Sequence, residues 1–206
     1  MRLNRLGAIA IVLAVGLTAA ACTTTSQVHP EYVSAGLAAP VIQGRAVVVM
    51  DAAARGQVIS AHPTSFTGGA TSISQPVGAV DAAVAEKVFG VGFSGGAKVQ
   101  DHPEPDAFSI GMRTDSFSFA YDQLSSLGFA ITPKVSVTMT ADVAAPGGRS
   151  VLHKTYTRTD ITTGKYVASL QPAEKINQAF HMAVADICRQ ILDDIKGETT
   201  VAAAEK

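Results

Sequence analysis

The chain has 206 residues, a net charge of −1, 16% charged residues, eight Phe, four Tyr and no Trp. This balance excludes a basic nucleic-acid binder, a coiled coil and a multi-span membrane protein, and two cysteines are too few for a disulfide-stapled mini-domain. One modest globular domain remains.

The first segment reads as an address. Met1–Leu6 carries Arg2 and Arg5 and no acid, and Leu6–Leu17 is apolar apart from two glycines. Small residues follow, Thr18-Ala19-Ala20-Ala21, and then Cys22. A basic end, a short apolar run and a small-residue cleavage site predict a signal peptide over 1–21. The run is shorter than the roughly 20 residues a bilayer-spanning helix takes.

Cys22 directly after those small residues resembles the lipobox of bacterial lipoproteins. The resemblance implies that the thiol takes a diacylglycerol, that cleavage falls before Cys22, and that the new N-terminus is acylated with chains such as palmitate. Lipoboxes usually carry Leu three residues before the Cys; here that position is Ala19. Thr23, rather than Asp, follows the Cys. In families sorted by that position, this implies the cell outer membrane, facing the periplasm. The alternative is an ordinary secreted protein with an unmodified Cys22. Each buried methylene adds about 0.8 kcal/mol, so several acyl chains anchor where one holds only marginally. With Cys22 consumed, Cys188 has no internal partner, and its place beside Ile187 and Ile191 predicts burial.

Residues 22–44 read as a lipidated Cys and a flexible tether, broken by Pro30, Gly36, Pro40 and Gly44. Tyr32, Val33 and Leu37 are its candidates for docking on the domain. A single domain is expected over 45–198. Ala46–Met50 is a continuous apolar run suited to a strand buried on both faces. Val58-Ile59 and Ile73 suggest short strands, with His62-Pro63 and Gly68-Gly69 marking loops. Val80, Val84 and Val88 predict a helix over Gly78–Phe89, with Asp81 near its start, where an acid suits the helix dipole.

Strands follow. Phe108, Ile110 and Met112 alternate with small or polar residues, as do Phe117, Phe119 and Tyr121. The run from Val135 to Val143 alternates likewise and turns at Ala145-Pro146-Gly147-Gly148, which predicts a β-hairpin over 133–158. Pro172 and Glu174 open a helix whose face is Ile176, Phe180, Ala183, Val184, Ile187, Ile191 and Ile195, and Gly197 is its expected end. Residues 199–206 are expected to be a disordered tail. The order predicts an α+β fold: a mostly antiparallel sheet with one short helix and one long C-terminal helix packed on one face.

Several patterns suggest chemistry. Gly90-Val91-Gly92-Phe93-Ser94-Gly95 matches the dinucleotide fingerprint, and Gly92-Phe93-Ser94-Gly95-Gly96 matches the nucleophile elbow. Both need a strand before and a helix after, whereas a helix precedes this stretch. A serine hydrolase using Ser94, with Asp160 or Asp142 and His181 as partners, is the catalytic alternative. Asp101, His102, Glu104 and Asp106 crowd four oxygen or nitrogen donors together and are weak metal candidates. Pro103 and Pro105 hold the stretch extended, so neighbouring donors diverge. No cofactor is expected. Phe117, Phe119 and Tyr121 lie on one face of one strand. They either pack under the C-terminal helix or line a groove for an acyl chain or a partner. The opposite face, Ser116-Ser118-Ala120, is small enough for another surface to approach closely.

The layout resembles a loose group of small Gram-negative envelope lipoproteins, which includes the YajG-like lipoproteins and the auxiliary lipoproteins of ABC-type transport systems. It does so through the lipobox Cys22, the strand Ala46–Met50, the helix Gly78–Phe89, the hairpin Val135–Arg158 and the amphipathic helix Pro172–Lys196. The resemblance is one of pattern, and it implies a non-catalytic partner of a larger envelope machine. The expected partners are the bilayer, through acylated Cys22, and an envelope protein complex or a lipid ligand, with no nucleic acid. A structural subunit of a surface appendage, or a homo-oligomer pairing through a sheet edge, is the third reading.

Overall fold

The computed structural model describes residues 22–65, 71–122, 131–164 and 172–204. The expected signal peptide over 1–21 lies outside the described residues, as do residues 205–206.

Two sheets and two long helices enclose one core. In chain order the strands are β1 (Cys22–Thr25), β2 (Ala46–Val49), β3 (Ile59–Ala61), β4 (Thr71–Gln75), β5 (Ala97–Gln100), β6 (Phe108–Asp122), β7 (Thr132–Ala144) and β8 (Ser150–Ile161). The helices are α1 (Ala52–Arg55), α2 (Val77–Gly92) and α3 (Pro172–Ala204). The larger sheet has the order β5-β2-β6-β7-β8 and the smaller β1-β4-β3. The α+β class is therefore as expected. The larger sheet is mixed: β2 runs parallel to both β5 and β6, while β6, β7 and β8 form an antiparallel meander.

The unbroken apolar run of β2 fits its place. A central parallel strand is covered on both faces, and Val47 and Val48 are buried on opposite sides. β7 shows the opposite signature, with Val135, Val137, Met139, Ala141 and Val143 buried and the residues between them half-exposed or, at Asp142, exposed. In β6 the apolar phase changes from even positions (Phe108, Ile110, Met112) to odd ones (Phe117, Phe119). A single strand can make that change only by adding a residue, and the β6–β7 register shifts between Thr114 and Ser116. The two alternating segments are thus one strand bent at a bulge.

Both long helices lie on the same face of the larger sheet. Ile176, Phe180, Val184, Ile187, Ile191 and Ile195 of α3 are fully buried against Val80, Val84 and Val88 of α2 and the inward rows of the sheet. Each such side chain contributes about 1.5–3 kcal/mol by leaving water. On β8, Tyr156 donates its hydroxyl to Asp194 of α3 at 2.6 Å, and Lys154 pairs with the same carboxylate at 2.8 Å. Gly78 is required by close approach: a Cβ there would overlap the carbonyl oxygen of Ala54, where α1 meets the first turn of α2.

Three boundaries differ from expectation. α2 continues through Gly90-Val91-Gly92, so the first part of the glycine-rich stretch is helical and the rest is the turn into β5. α3 continues past Gly197 to Ala204. Gly197 faces open space and has a helical neighbour on each side, and the Thr199 and Thr200 hydroxyls bond carbonyls of the turn before. The expected disordered tail is therefore helical as far as Ala204. Residues 23–44 are not a flexible tether either. They form β1, a 3-10 turn at Pro30–Tyr32 and an extended run bonded to the domain along its length.

Candidate functional site

The N-terminal run acts as a strap across the start of α3. β1 pairs in parallel with β4, from Cys22 beside Thr71 to Thr25 beside Ser74, and the Ser26 amide extends the ladder to the Ser74 carbonyl. Beyond it, side chains of the helices read the backbone of the strap. Asn177 donates its amide to the Gln27 carbonyl at 2.8 Å, Lys87 of α2 donates to the Pro30 carbonyl at 2.8 Å, and Arg189 donates to the Ser34 carbonyl at 3.3 Å. The backbone N–H of His29 donates to His181 Nε2 at 2.9 Å. Val33 and Ile42 are buried, and the Val41 and Ile42 amides both donate to the Gly92 carbonyl. The polar links explain why composition alone suggests a loose tether: few of the strap's holds are apolar.

Under the strap runs a buried polar row. Gln75 of β4 donates to Asn177 Oδ1 at 2.9 Å, and His181, one turn further along α3, donates from Nδ1 to the Asn177 carbonyl at 2.8 Å. A carbonyl only accepts, so the proton is on Nδ1 and Nε2 is the bare nitrogen facing His29. Burial holds the imidazole below its ordinary value. Between the strap and α3 lies a cleft of about 580 Å3, walled by Thr24–Gln27, His29 and Tyr32 on one side and Ala173, Glu174 and Asn177 on the other. Ser26, at 8% exposure, lines it with a hydroxyl that has no protein partner.

A second buried polar site sits at the β6 bulge. Asp81 projects inward from α2 and accepts from the backbone N–H and the hydroxyl of Thr114, each at 3.0 Å. Both residues are fully buried. Burial pushes the Asp81 carboxyl up to about 7, against the lowering pull of the two Thr114 bonds. The expectation that an acid near the helix start suits the dipole did not extend to its burial. Asp81 stands four residues from Val77 and from Ala85, on the buried face. That helical spacing was the available signal. Cys188 of α3 is a free, buried thiol, and burial, with the Asp81 charge adding to it, raises its pKa.

The residues singled out for chemistry fall as follows. Phe117 and Phe119 are core: they stack with ring centroids 6.0 Å apart, and Phe117 meets Phe180 of α3 edge-on at 5.3 Å. Of the two alternatives, packing under the C-terminal helix is the one present at Phe117, where Phe180 takes the space a groove would need. Tyr121 is half-buried at the strand end, with its ring against Phe119 and its amide on Ser65 Oγ. Ser94 lies in a turn that follows a helix and precedes β5, and its hydroxyl accepts the Gly44 N–H at 3.0 Å. Its nominated partners are engaged elsewhere. Both ring nitrogens of His181 are bonded as above, Asp142 bonds His153 on the outer sheet face, and Asp160 lies one residue before the end of β8 with φ +56°.

The acidic loop is an ion-pair cluster. Arg45 bridges Glu104 and Asp106, Gln100 donates to Glu104 at 2.7 Å, and Asp101 bonds its neighbour His102. The Gln100 amide and then Arg45 hold the Glu104 carboxyl below the usual carboxylate range, and Arg45 does the same for Asp106. Among the described residues no group of three or more His, Cys, Asp or Glu is placed to hold a metal ion.

Opposite the helices, the face of β6 and β7 carries Ser, Thr, Ala and Gly with charged residues among them, Arg113, Asp115, Lys134 and Asp142. Two adjoining hollows mark its upper end. One of about 270 Å3 is lined by Val49, Ser109, Gly111 and Ala144, and one of about 430 Å3 lies between the Pro103–Ala107 loop and the Gly147-Gly148 turn. The Gly147 amide donates to the Pro105 carbonyl and fixes that rim.

No protein-family model matches the chain, and no curated protein matches it in sequence. Among solved structures it is similar to a Xanthomonas campestris protein of the DUF330 family, at 14% identity over 88% of this chain and 99% of that one, with a TM-score of 0.52. A minor lipoprotein from Acinetobacter baumannii is 15% identical over 77% of this chain and 94% of that one, with a TM-score of 0.36. An uncharacterized protein is 11% identical over 84% of this chain and 97% of that one, with a TM-score of 0.38. The Xanthomonas likeness is one of fold alone.

Proposed function

We propose that this chain is an outer-membrane lipoprotein, acylated at Cys22 and facing the periplasm, that serves as a non-catalytic binding subunit of an envelope transport or assembly system. The observation that carries the reading is the position of Cys22. It follows a short basic and apolar leader, and it is the first residue of β1, so an acyl anchor there is joined to the folded domain without a spacer. Among the described residues no helix is long and apolar enough to cross a membrane, and acyl chains on Cys22 supply the attachment. The DUF330-like fold supports placing the chain near the envelope lipoproteins it resembles in pattern. The non-catalytic part rests on the engagement of Ser94 with Gly44 and of His181 with the strap. The outer face of β6 and β7, small and hydroxyl residues with a few charges among them, is the surface offered to a partner.

Growth with an alkyne-tagged palmitate, followed by membrane fractionation, tests the anchor. Label should enter the wild-type chain, sediment with outer membranes, and be lost in Cys22→Ala. Unlabelled wild-type protein in the soluble fraction would end the lipoprotein reading. Affinity capture from detergent-solubilised envelopes tests the partner, and recovery of bare monomer without protein or lipid would count against it. A fluorophosphonate probe that labels the wild type but not Ser94→Ala would replace the non-catalytic reading with a hydrolase.

A further inference from the structure

We infer that the strap over α3 is a pH-released latch: protonation of His181 removes the acceptor that holds the His29 backbone N–H, and the segment from Ser26 to Val33 detaches and widens the cleft beneath it. The geometry leaves the ring no alternative. Nδ1 already donates to the Asn177 carbonyl at 2.8 Å, so an added proton must go on Nε2, 2.9 Å from an N–H that is itself a donor. Two donors then face each other, and a buried cation is left with no acceptor for its second N–H.

The charged neighbours do not rescue it. From the strap, Glu31 is turned to the ring of His29, at 2.7 Å, and Tyr32 meets His181 edge-on at 5.5 Å. From α3, Glu174 is reached by the Tyr32 hydroxyl at 3.5 Å, and Phe180 packs edge-on beside the imidazole. From α2, Lys87 is bound to the Pro30 carbonyl. The other side-chain holds on the strap are the Asn177, Lys87 and Arg189 bonds to carbonyls, so His181 is the one imidazole among the groups that bind its backbone. Burial keeps the docked ring neutral, and docking is therefore complete above about pH 6.5, the value of a free imidazole, and weakens as pH falls below it. The latch stands whether or not Cys22 carries lipid.

Hydrogen exchange of the full chain in detergent micelles, from pH 8 to pH 5 and corrected for intrinsic rates, tests this. Protection of the Ser26–Val33 amides should fall up to about tenfold per pH unit below about pH 6.5, while α2 and α3 core amides such as Val84 and Ile187 stay protected. Strap protection that holds to pH 5, or that falls together with the core, would overturn the latch. His29→Gln keeps the backbone donor and loses the other ring, so its release should persist; His181→Gln should abolish the pH dependence. The reverse assignment refutes it. Should His181→Gln fail to fold, the ring shifts of His181 in the wild-type protein decide: they must follow the same pH course as strap protection, and a ring that titrates while the strap stays protected sinks the proposal.

Discussion

Replacing Asp81 by Asn tests the logic of the buried bulge site most directly. The carboxyl sits at about 7 against an ordinary 3.8, a separation of roughly three units in favour of the protonated, neutral form. At about 1.4 kcal/mol per unit, ionising it in the folded protein costs about 4 kcal/mol relative to the unfolded chain. The sign follows from the raised value. The folded state keeps its proton where the unfolded chain has lost it, so this group's contribution is greatest below about pH 4 and declines as pH rises to about 7. Between pH 5 and pH 8 the loss amounts to about 3 kcal/mol.

Asn fits the same partners, because its carbonyl can accept the Thr114 N–H and its amide can donate to the Thr114 hydroxyl. Urea unfolding of wild type and Asp81→Asn at pH 5, 6, 7 and 8 should show the variant gaining on the wild type by about 3 kcal/mol across that range. The difference removes every other titrating group, His181 included. Parallel stability curves would show that Asp81 is solvated or charged in the folded state and that the burial argument is wrong. Asp81→Ala should be worse than Asn at every pH, because it strands both Thr114 donors.

Three further outcomes can be measured by denaturation or labelling. Gly78→Ala should cost about 1–3 kcal/mol, since its Cβ meets the Ala54 carbonyl, which is backbone and cannot swing aside. Phe180→Ala should cost about 3–5 kcal/mol by leaving Phe117 against a cavity, and a smaller loss would mean that α3 collapses onto β6. The Cys188 thiol, buried and with its ionisation suppressed, should react with a maleimide only at the rate of unfolding; fast labelling of the folded protein would place it at the surface.

What could be read from residues alone was what periodicity governs. The β7–β8 hairpin, the inward face of α3, the burial of Cys188 and the two-sided burial of β2 all follow from spacing and residue size. What escaped depends on single polar contacts between residues far apart in sequence. The strap looks like a tether because Thr, Ser and Gln carry no period, yet Asn177 and His181 bind its backbone from some 150 positions away. Asp81 escaped because its partner Thr114 is identified only once β6 bulges. Even there the switch from even to odd apolar positions between Met112 and Phe117 was in plain view. The Phe117–Phe119 row was ambiguous for the opposite reason: an aromatic face reads the same under a helix as in a groove, and only the placement of α3 separates the two.

The parallel docking of β1 on β4, closed by α3, also sets an order of assembly. The first strand of the domain is gripped by side chains of its last helix, and closing so large a loop is slow compared with forming the meander or the helices themselves. While the chain emerges from the amino end, residues 22–33 can meet β4 and Lys87 but not yet the side chains of α3. The strap is therefore fastened last, when the final helix brings Asn177 and His181 to its backbone.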